Sequence, residues 1–302
     1  MWFWLSVIAL ICWSGSDLFS KIGCRDAKDK YSHLKMTIAV GVVMGLHAMY
    51  EIFIGGVDIN FKIILTYLPV SLLYIGSMMM GYWGLRYIEL SISSPICNSS
   101  GALVAVATLI MVGFKGYSPL ALTAVALVCV GAIGLGVVDY FEDDELRAER
   151  QKKSNYKYAK SLIALALPVA YCILDAAGTF ADNRVLEILN EDSANVAYEL
   201  TFLFVGIICF VYVVLIKKQP LVPKMEAPKY LGAICETAGQ FAYIYAISDT
   251  SHLAMSAPII SSYCAASVLW SRIFLKEKLS WKHYLMICLI VAGIAVMGFL
   301  DM

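Results

Sequence analysis

The sequence predicts an all-α membrane protein with ten transmembrane helices arranged as two inverted five-helix repeats. Hydrophobic residues make up 60% of the 302 residues, charged residues make up 15%, and the mean hydropathy is +0.75. A soluble domain of this size carries about 25% charged residues, so the membrane is expected to surround most of the chain. The other two observations are ten long apolar stretches and a residue pattern that occurs in both halves.

Each apolar stretch has the length of about 20 residues that a helix needs to cross a bilayer. The stretches do not alternate with a period of two, which favours helices over a barrel of strands. The ten predicted spans are Trp2–Ile22, His33–Ile54, Ile63–Leu85, Ile92–Phe114, Ser118–Val138, Tyr158–Ala181, Ala194–Ile216, Lys229–Ser248, Leu253–Leu275 and Trp281–Leu300.

One long polar segment separates the fifth span from the sixth. It runs from Glu142 to Lys153 and consists almost entirely of charged residues. A run of this kind is typical of a solvated linker. We therefore predict a first five-helix repeat in residues 1–139, a charged linker in residues 140–157, and a second five-helix repeat in residues 158–302.

The two halves carry similar residues at matching positions. Trp13 precedes Asp17 by four residues, and Tyr171 precedes Asp175 by four residues. Later in each half, residues 82–95 align without a gap with residues 245–258, and both segments end in a proline that we expect in the first turn of a helix. An odd number of helices in each repeat inserts the second repeat upside down, which predicts a two-fold axis in the membrane plane.

Lysine and arginine predict the orientation. With the loops numbered along the chain, 20 of the 23 basic residues lie in or beside odd-numbered loops. The even-numbered loops contain only Lys62, Lys115 and Arg184. Because cytoplasmic loops of membrane proteins are enriched in basic residues, we expect the odd loops in the cytoplasm and both termini outside.

Composition also argues against several partners. The formal net charge is zero, so no general attraction to nucleic acid is expected. The nine cysteines have neither CxxC pairs nor metal-site spacing, and we interpret them as small buried apolar residues. We therefore predict no metal ion and no cofactor. The expected partners are membrane lipid and a small-molecule substrate, and the sequence gives no indication of the oligomeric state.

Three segments carry a resemblance to a known family. They are Trp13-Ser14-Gly15-Ser16, the junction from Tyr82 to Pro95, and the loop Leu275-Lys276-Glu277-Lys278-Leu279-Ser280. They resemble the first helix, a helix junction and the Leu-Gly-Glu-x-Leu-Ser loop of the EamA-like branch of the drug/metabolite transporter superfamily. Lys276 stands where that loop has glycine, and the corresponding first-half loop at Phe114 lacks the glutamate.

The resemblance implies a ten-helix secondary transporter, embedded in the plasma membrane, that moves a small organic solute by alternating access. The solute class is a metabolite, amino acid or amine, and proton coupling is one option. No ATP-binding P-loop motif occurs in the sequence. An uncoupled facilitator or exchanger of a neutral metabolite is the alternative. An intramembrane enzyme is a remote one, because GxGD, HxxxxD and HExxH motifs do not occur. A structural or regulatory membrane protein also remains open.

Polar residues inside the predicted spans are the candidates for solute or proton binding. A carboxylate at membrane depth costs roughly 2.5–3.5 kcal/mol and usually faces the protein interior or water. The alternative for each carboxylate is a structural hydrogen bond to a neighbouring helix. The candidate carboxylates are Asp17, Asp175 and Glu236, and Gln240 lies one turn after Glu236. Trp13 and Tyr171 are expected to shape the site. Asn98 and Ser262 are polar residues at matching regions of the fourth and ninth spans.

Overall fold

The computed structural model describes residues 1–25, 29–113, 117–141 and 162–301, in which every regular element is helical. The helices of the first half are α1 (Trp2–Cys24), α2 (Ser32–Tyr50), α3 (Phe61–Gly84), α4 (Leu90–Asn98), α5 (Ser100–Val112) and α6 (Pro119–Tyr140). A π-helical turn, Glu51–Gly55, continues α2. The predicted charged linker between the halves lies mostly outside the described residues.

The helices of the second half are α7 (Leu162–Val185), α8 (Glu191–Phe210), α9 (Pro223–Ser248), α10 (Leu253–Ser261), α11 (Tyr263–Trp270) and α12 (Trp281–Asp301). The π-helical turns Val211–Ile216 and Ser271–Leu275 continue α8 and α11. Helix α9 begins six residues before the predicted span, with Pro223 in its first position, where a missing N–H costs little.

Eight helical segments of the described residues are long and apolar enough to cross a membrane. Pairs of consecutive helices form two of these segments, Leu90–Met111 and Leu253–Leu275. Helices α7 and α9 have comparable lengths of 24 and 26 residues. The protein is therefore an integral, multi-pass membrane protein.

The fourth and ninth predicted spans are interrupted. The helix breaks at Ser99, between α4 and α5, and at Ser262, between α10 and α11. Each break lies four residues after a proline, Pro95 or Pro258, and the N–H of the break residue still donates to the carbonyl oxygen of that proline, at 3.1 and 3.0 Å. The expectation of proline in the first turn is wrong, because α4 and α10 begin five residues before it. The residues before Pro95, including the buried Ser93 and Ser94, are already part of helix α4 and do not form a loop.

Helices from the two halves pack in pairs across the molecule. Helix α1 packs on α9, α3 on α7, α2 on α8, α6 on α12, and α5 on α10. Small residues permit the closest approaches, and the pattern Gly41-Val42-Val43-Met44-Gly45 in the sequence predicts such close helix packing. A Cβ atom on Gly41 of α2 would lie 2.8 Å from the carbonyl oxygen of Phe202 and 3.1 Å from the Cα atom of Gly206 on α8.

Buried ion pairs join three elements at one end of the bundle. The Lys35 ammonium lies 3.0 Å from the Asp29 carboxylate and 3.4 Å from the Glu226 carboxylate, and Lys229 lies 2.7 Å from Glu226. Nearby, the Lys21 ammonium donates hydrogen bonds of 2.9 and 2.6 Å to the carbonyl oxygens of Leu85 and Ile88. This end of the bundle carries the basic residues that the sequence assigns to the cytoplasm.

Gly41→Ala is expected to destabilise the protein by about 1–3 kcal/mol, because the added methyl group meets backbone atoms that must shift to make room. Gly136→Ala on α6 is the matched control, since its Cβ would lie 3.5 Å or more from its nearest neighbours. Thermal unfolding in detergent measures both. An unfolding temperature for Gly41→Ala equal to that of Gly136→Ala would contradict the packing of α2 on α8.

Candidate functional site

A cavity lies in the centre of the molecule, where both helix breaks and the aspartate-bearing helices meet. Its walls come from α1, α3, α4, α5, α7, α8, α9, α10 and α11. It contains about 880 Å³ of empty space, part of which is open to solvent.

The cavity brings together six of the eight residues that the sequence selects. They are Trp13, Asp17, Tyr171, Asp175, Glu236 and Gln240. The two other residues, Asn98 and Ser262, are buried but do not line it. Asn98 instead donates hydrogen bonds to the carbonyl oxygen of Ser94 at 2.8 Å and to its hydroxyl at 3.2 Å. The Ser262 hydroxyl donates to a carbonyl within its own helix.

Two serines from different helices hold the Asp17 carboxylate. The hydroxyl groups of Ser94 on α4 and Ser267 on α11 donate to the same oxygen, Oδ2, at 2.5 and 2.8 Å. Asn98 therefore affects Asp17 through Ser94, by fixing the position of that serine. Both donors are neutral, and no lysine or arginine of the described residues balances the charge of this carboxylate at hydrogen-bond distance.

The Asp175 carboxylate lies on the other side of the break between α4 and α5. The Ser100 hydroxyl, at the first position of α5, donates to its Oδ2 atom at 2.7 Å. Asp17 and Asp175 thus contact residues on either side of Ser99. Of the two donors, Ser94 itself lines the cavity, whereas Ser100 contacts it through Asp175.

Glu236 and Gln240 occupy one face of α9, one turn apart. The Glu236 carboxylate lines the cavity together with Ser16 and is close enough to Asp17 and Asp175 for electrostatic repulsion. The Gln240 side-chain nitrogen, in contrast, has no hydrogen-bond partner although the residue is only 3% exposed. The hydroxyls of Tyr82 and Ser20, which also line the cavity, are likewise buried and unpartnered.

Aromatic rings form much of the cavity wall. The Trp13 ring lies 5.0 Å from the ring of Tyr243 and 5.9 Å from the ring of Tyr263, measured between centroids. Its indole nitrogen donates at 3.3 Å to the carbonyl oxygen of Glu236. The Tyr171 and Tyr263 side chains both line the same wall. These faces surround three carboxylates, and the described residues that line the cavity include no lysine, arginine or histidine.

Sequence reasoning missed a completely buried carboxylate near the cavity, that of Asp182. It is completely buried on α7, where the hydroxyl groups of Tyr67 and Tyr74 donate to its two oxygens at 2.6 and 3.3 Å. The run Asp182-Asn183-Arg184 resembles the start of a loop, and the predicted span ends just before it at Ala181. The available signal is spacing, because Asp175, Thr179 and Asp182 follow the i, i+4, i+7 pattern of one helix face.

A further polar cluster lies outside the cavity lining, between α2 and α8. The His47 Nδ1 atom lies 2.9 Å from the buried Glu199 carboxylate, and its Nε2 atom lies 3.6 Å from Glu51. Asn195 donates to Glu199 at 3.1 Å. The sequence predicts the pairing of His47 with Glu51 from their i, i+4 spacing, but not the bond to Glu199 on another helix.

Comparison with known proteins supports a transport function. Residues 184–299, fewer than half of the chain, match the EamA-like transporter family, and this match is consistent with the drug/metabolite transporter superfamily. Members of this family are transporters rather than enzymes, and the match suggests a membrane transporter of small solutes. No curated protein sequence gives a match.

The fold also has a counterpart among solved structures. One crystal structure of a protein aligns over 98% of this chain and 96% of its own chain, with a TM-score of 0.64 and 14% sequence identity. At this identity the likeness concerns the fold alone. It extends over both halves, whereas the family match covers the second half only.

Replacing Gln240 by leucine is expected to stabilise the empty protein by about 1–3 kcal/mol, because the substitution removes a buried donor that has no partner. The same change is expected to weaken binding of any solute that accepts a hydrogen bond there. Thr237→Val is the matched control, since the Thr237 hydroxyl already bonds to the Ala233 carbonyl at 2.9 Å. Thermal unfolding without solute distinguishes the two; an equal loss of stability in both variants would mean that Gln240 is a structural residue.

Proposed function

We propose that this protein is a secondary transporter that moves a small, positively charged organic solute across the membrane by alternating access. The observation that carries the proposal is the position of Asp17, Asp175 and Glu236, whose carboxylates all line one cavity without a basic residue. Like charges in a shared low-dielectric site repel one another, so binding of a cation or a proton reduces the repulsion between the carboxylates. A cationic solute supplies that charge only while it is bound.

The cavity walls support an organic rather than an inorganic cation. Aromatic faces attract ammonium groups when the cation lies within about 6 Å of the ring, and Trp13, Tyr243 and Tyr263 surround the carboxylates. The unpartnered groups of Gln240 and Tyr82 favour a solute that also accepts hydrogen bonds. An amine or amino acid with a hydroxyl, carbonyl or carboxylate group satisfies both requirements.

Alternating access requires two structural units that exchange partners around a central site. The helix pairing supports two inverted repeats as those units, comprising residues 1–139 and 158–302. The first helix of one repeat packs on the third helix of the other, as α1 does on α9 and α3 does on α7. The second helices pair with each other, and so do the last. This is the exchange of positions that a two-fold relation between repeats produces.

Asp175→Asn is expected to reduce uptake of a cationic solute at least tenfold, because it removes one of the charges that bind the cation. Phenyltrimethylammonium is a suitable radiolabelled probe for purified protein in liposomes, since it is permanently charged and bears an aromatic ring. Uptake by the wild-type protein is expected to saturate, and L-phenylalanine, benzoate and glucose serve as zwitterionic, anionic and neutral competitors.

Glu187→Gln is the control for this experiment, because it removes an exposed carboxylate that pairs with Arg184 beyond the end of α7. It is expected to transport the probe as the wild type does. Unchanged uptake in both Asp175→Asn and Glu236→Gln, with the proteins folded and inserted, would contradict a cation site. Competition by glucose alone would favour the uncoupled facilitator of a neutral metabolite.

The proposed location is the plasma membrane. The distribution of lysine and arginine predicts the orientation, with the odd loops in the cytoplasm and both termini outside. A reporter enzyme fused after Met302 is therefore expected to give its extracytoplasmic signal. A fusion after Gln219, in the seventh loop, is the control and is expected to report the cytoplasm. A cytoplasmic signal from Met302 would reverse the orientation without affecting the fold.

A further inference from the structure

We propose that Asp182 is a proton-binding site that exchanges its proton with the cavity through the hydroxyl groups of Tyr74, Tyr243 and Thr179. The inference rests on the proposed transport function, and it assigns the coupling proton to a residue outside the cavity lining. The chain of hydroxyls connects the two places, because Tyr74, Tyr243 and Thr179 line the cavity whereas Asp182 does not.

The chain is continuous in the structure. The Tyr74 hydroxyl lies 3.3 Å from Oδ2 of Asp182 and forms a short hydrogen bond with the Tyr243 hydroxyl. The Tyr243 hydroxyl lies 3.2 Å from the Thr179 hydroxyl. Thr179 is one turn from Asp175 on the same face of α7, so the chain ends beside a carboxylate of the cavity. On the other side of Asp182, Tyr67 donates to Oδ1 and is itself completely buried.

A count of hydroxyl protons shows that the chain has two polarities. Tyr74 and Tyr243 have one hydroxyl proton each, but their oxygens take part in three contacts, with Asp182, with one another and with Thr179. When Asp182 is ionised, Tyr74 donates to it and Tyr243 donates to Tyr74. When Asp182 is protonated, it donates to Tyr74, which then donates to Tyr243, which donates to Thr179. The heavy atoms keep their positions in both arrangements.

The surroundings of Asp182 favour a proton over a metal cation. The titratable groups that face it are tyrosines: Tyr67 and Tyr74 from α3, Tyr243 from α9 and Tyr198 from α8. Among the described residues no ion pair includes Asp182. Both carboxylate oxygens already accept from hydroxyl groups, which a proton on one oxygen reorganises without displacing a side chain.

Each transfer along the chain conserves atoms and charge. A protonated Asp182 gives its proton to the Tyr74 oxygen while Tyr74 gives its own proton to Tyr243. Tyr243 in turn gives a proton to Thr179, and Thr179 releases one into the cavity, which Asp175 also lines. The net result is an ionised Asp182 and one proton delivered to the cavity, with every hydroxyl group restored. The shift leaves Tyr74 donating to the ionised Asp182, which is the first of the two arrangements.

Asp182→Asn tests the proposal in liposomes that contain a pH-sensitive dye, with phenyltrimethylammonium as the transported probe. The wild-type protein is expected to move protons against the probe. In the variant the proton flux is expected to be at least tenfold lower than in the wild type, while labelled probe still exchanges for unlabelled probe. Asp182→Glu is expected to restore proton movement, and Glu187→Gln, which removes an exposed carboxylate beyond the same helix, is expected to leave both fluxes unchanged.

A second pair of variants tests the chain itself if Asp182→Asn fails to insert. Thr179→Val removes the last hydroxyl at nearly constant volume, whereas Thr179→Ser keeps it. The ratio of proton flux to probe flux is expected to fall at least tenfold in the valine variant and to keep its wild-type value in the serine variant. An equal fall of both fluxes in the valine variant would overturn the relay, because it would indicate a purely structural role.

The outcomes separate this inference from the proposed function. Probe movement without proton movement in the wild type, or a dependence on sodium instead of protons, would overturn the relay and leave the transport function intact. Proton movement that persists in Asp182→Asn would also overturn the relay alone. No probe movement by the wild type would overturn both.

Discussion

The structure depends on hydroxyl groups that satisfy buried carboxylates. Asp17, Asp175 and Asp182 lie in helices that are surrounded by apolar residues, and each accepts hydrogen bonds from serine or tyrosine of another helix. A neutral donor reduces the cost of burying a carboxylate without cancelling its charge. The carboxylates therefore hold the helices together and still attract a cation or a proton. Lysine or arginine at the same distances would satisfy the charge and leave nothing for a solute to supply.

Helix interruptions place these donors. A continuous α4 and α5 would direct successive polar side chains around the helix axis, because residues advance by about 100° each. Ser94 and Ser100, on either side of the break at Ser99, reach Asp17 and Asp175. The equivalent break at Ser262 lies close to the first one, because Gly101 and Ser261 are in contact. Close helix contacts give the interruptions room, as at Gly101, where a Cβ atom would lie 2.4 Å from the Ser261 hydroxyl oxygen. Geometry that is costly in an isolated helix is thus maintained by the helices packed around it.

Much of the architecture follows from the sequence. Apolar stretches of helical length predict the membrane-spanning elements, and intramembrane Asp17, Asp175 and Glu236 predict the residues that gather in the cavity. The spacing of Gly41 and Gly45 predicts close packing, which the approach of α2 to α8 confirms. These predictions succeed because burial of polar groups in a bilayer is costly enough that their presence alone indicates an interior position.

The sequence by itself determined that the chain crosses a membrane and which polar residues face its interior, because hydropathy and charge are properties of single residues and short segments. Only the tertiary structure decided which of them meet. Asn98 supports Ser94 instead of lining the cavity, Glu199 binds His47 across a helix interface, and Asp182 joins a chain of hydroxyls from other helices. Such contacts depend on the relative rotation and crossing of helices distant in sequence. That geometry arises from side-chain packing over the whole bundle and leaves no local pattern in the chain.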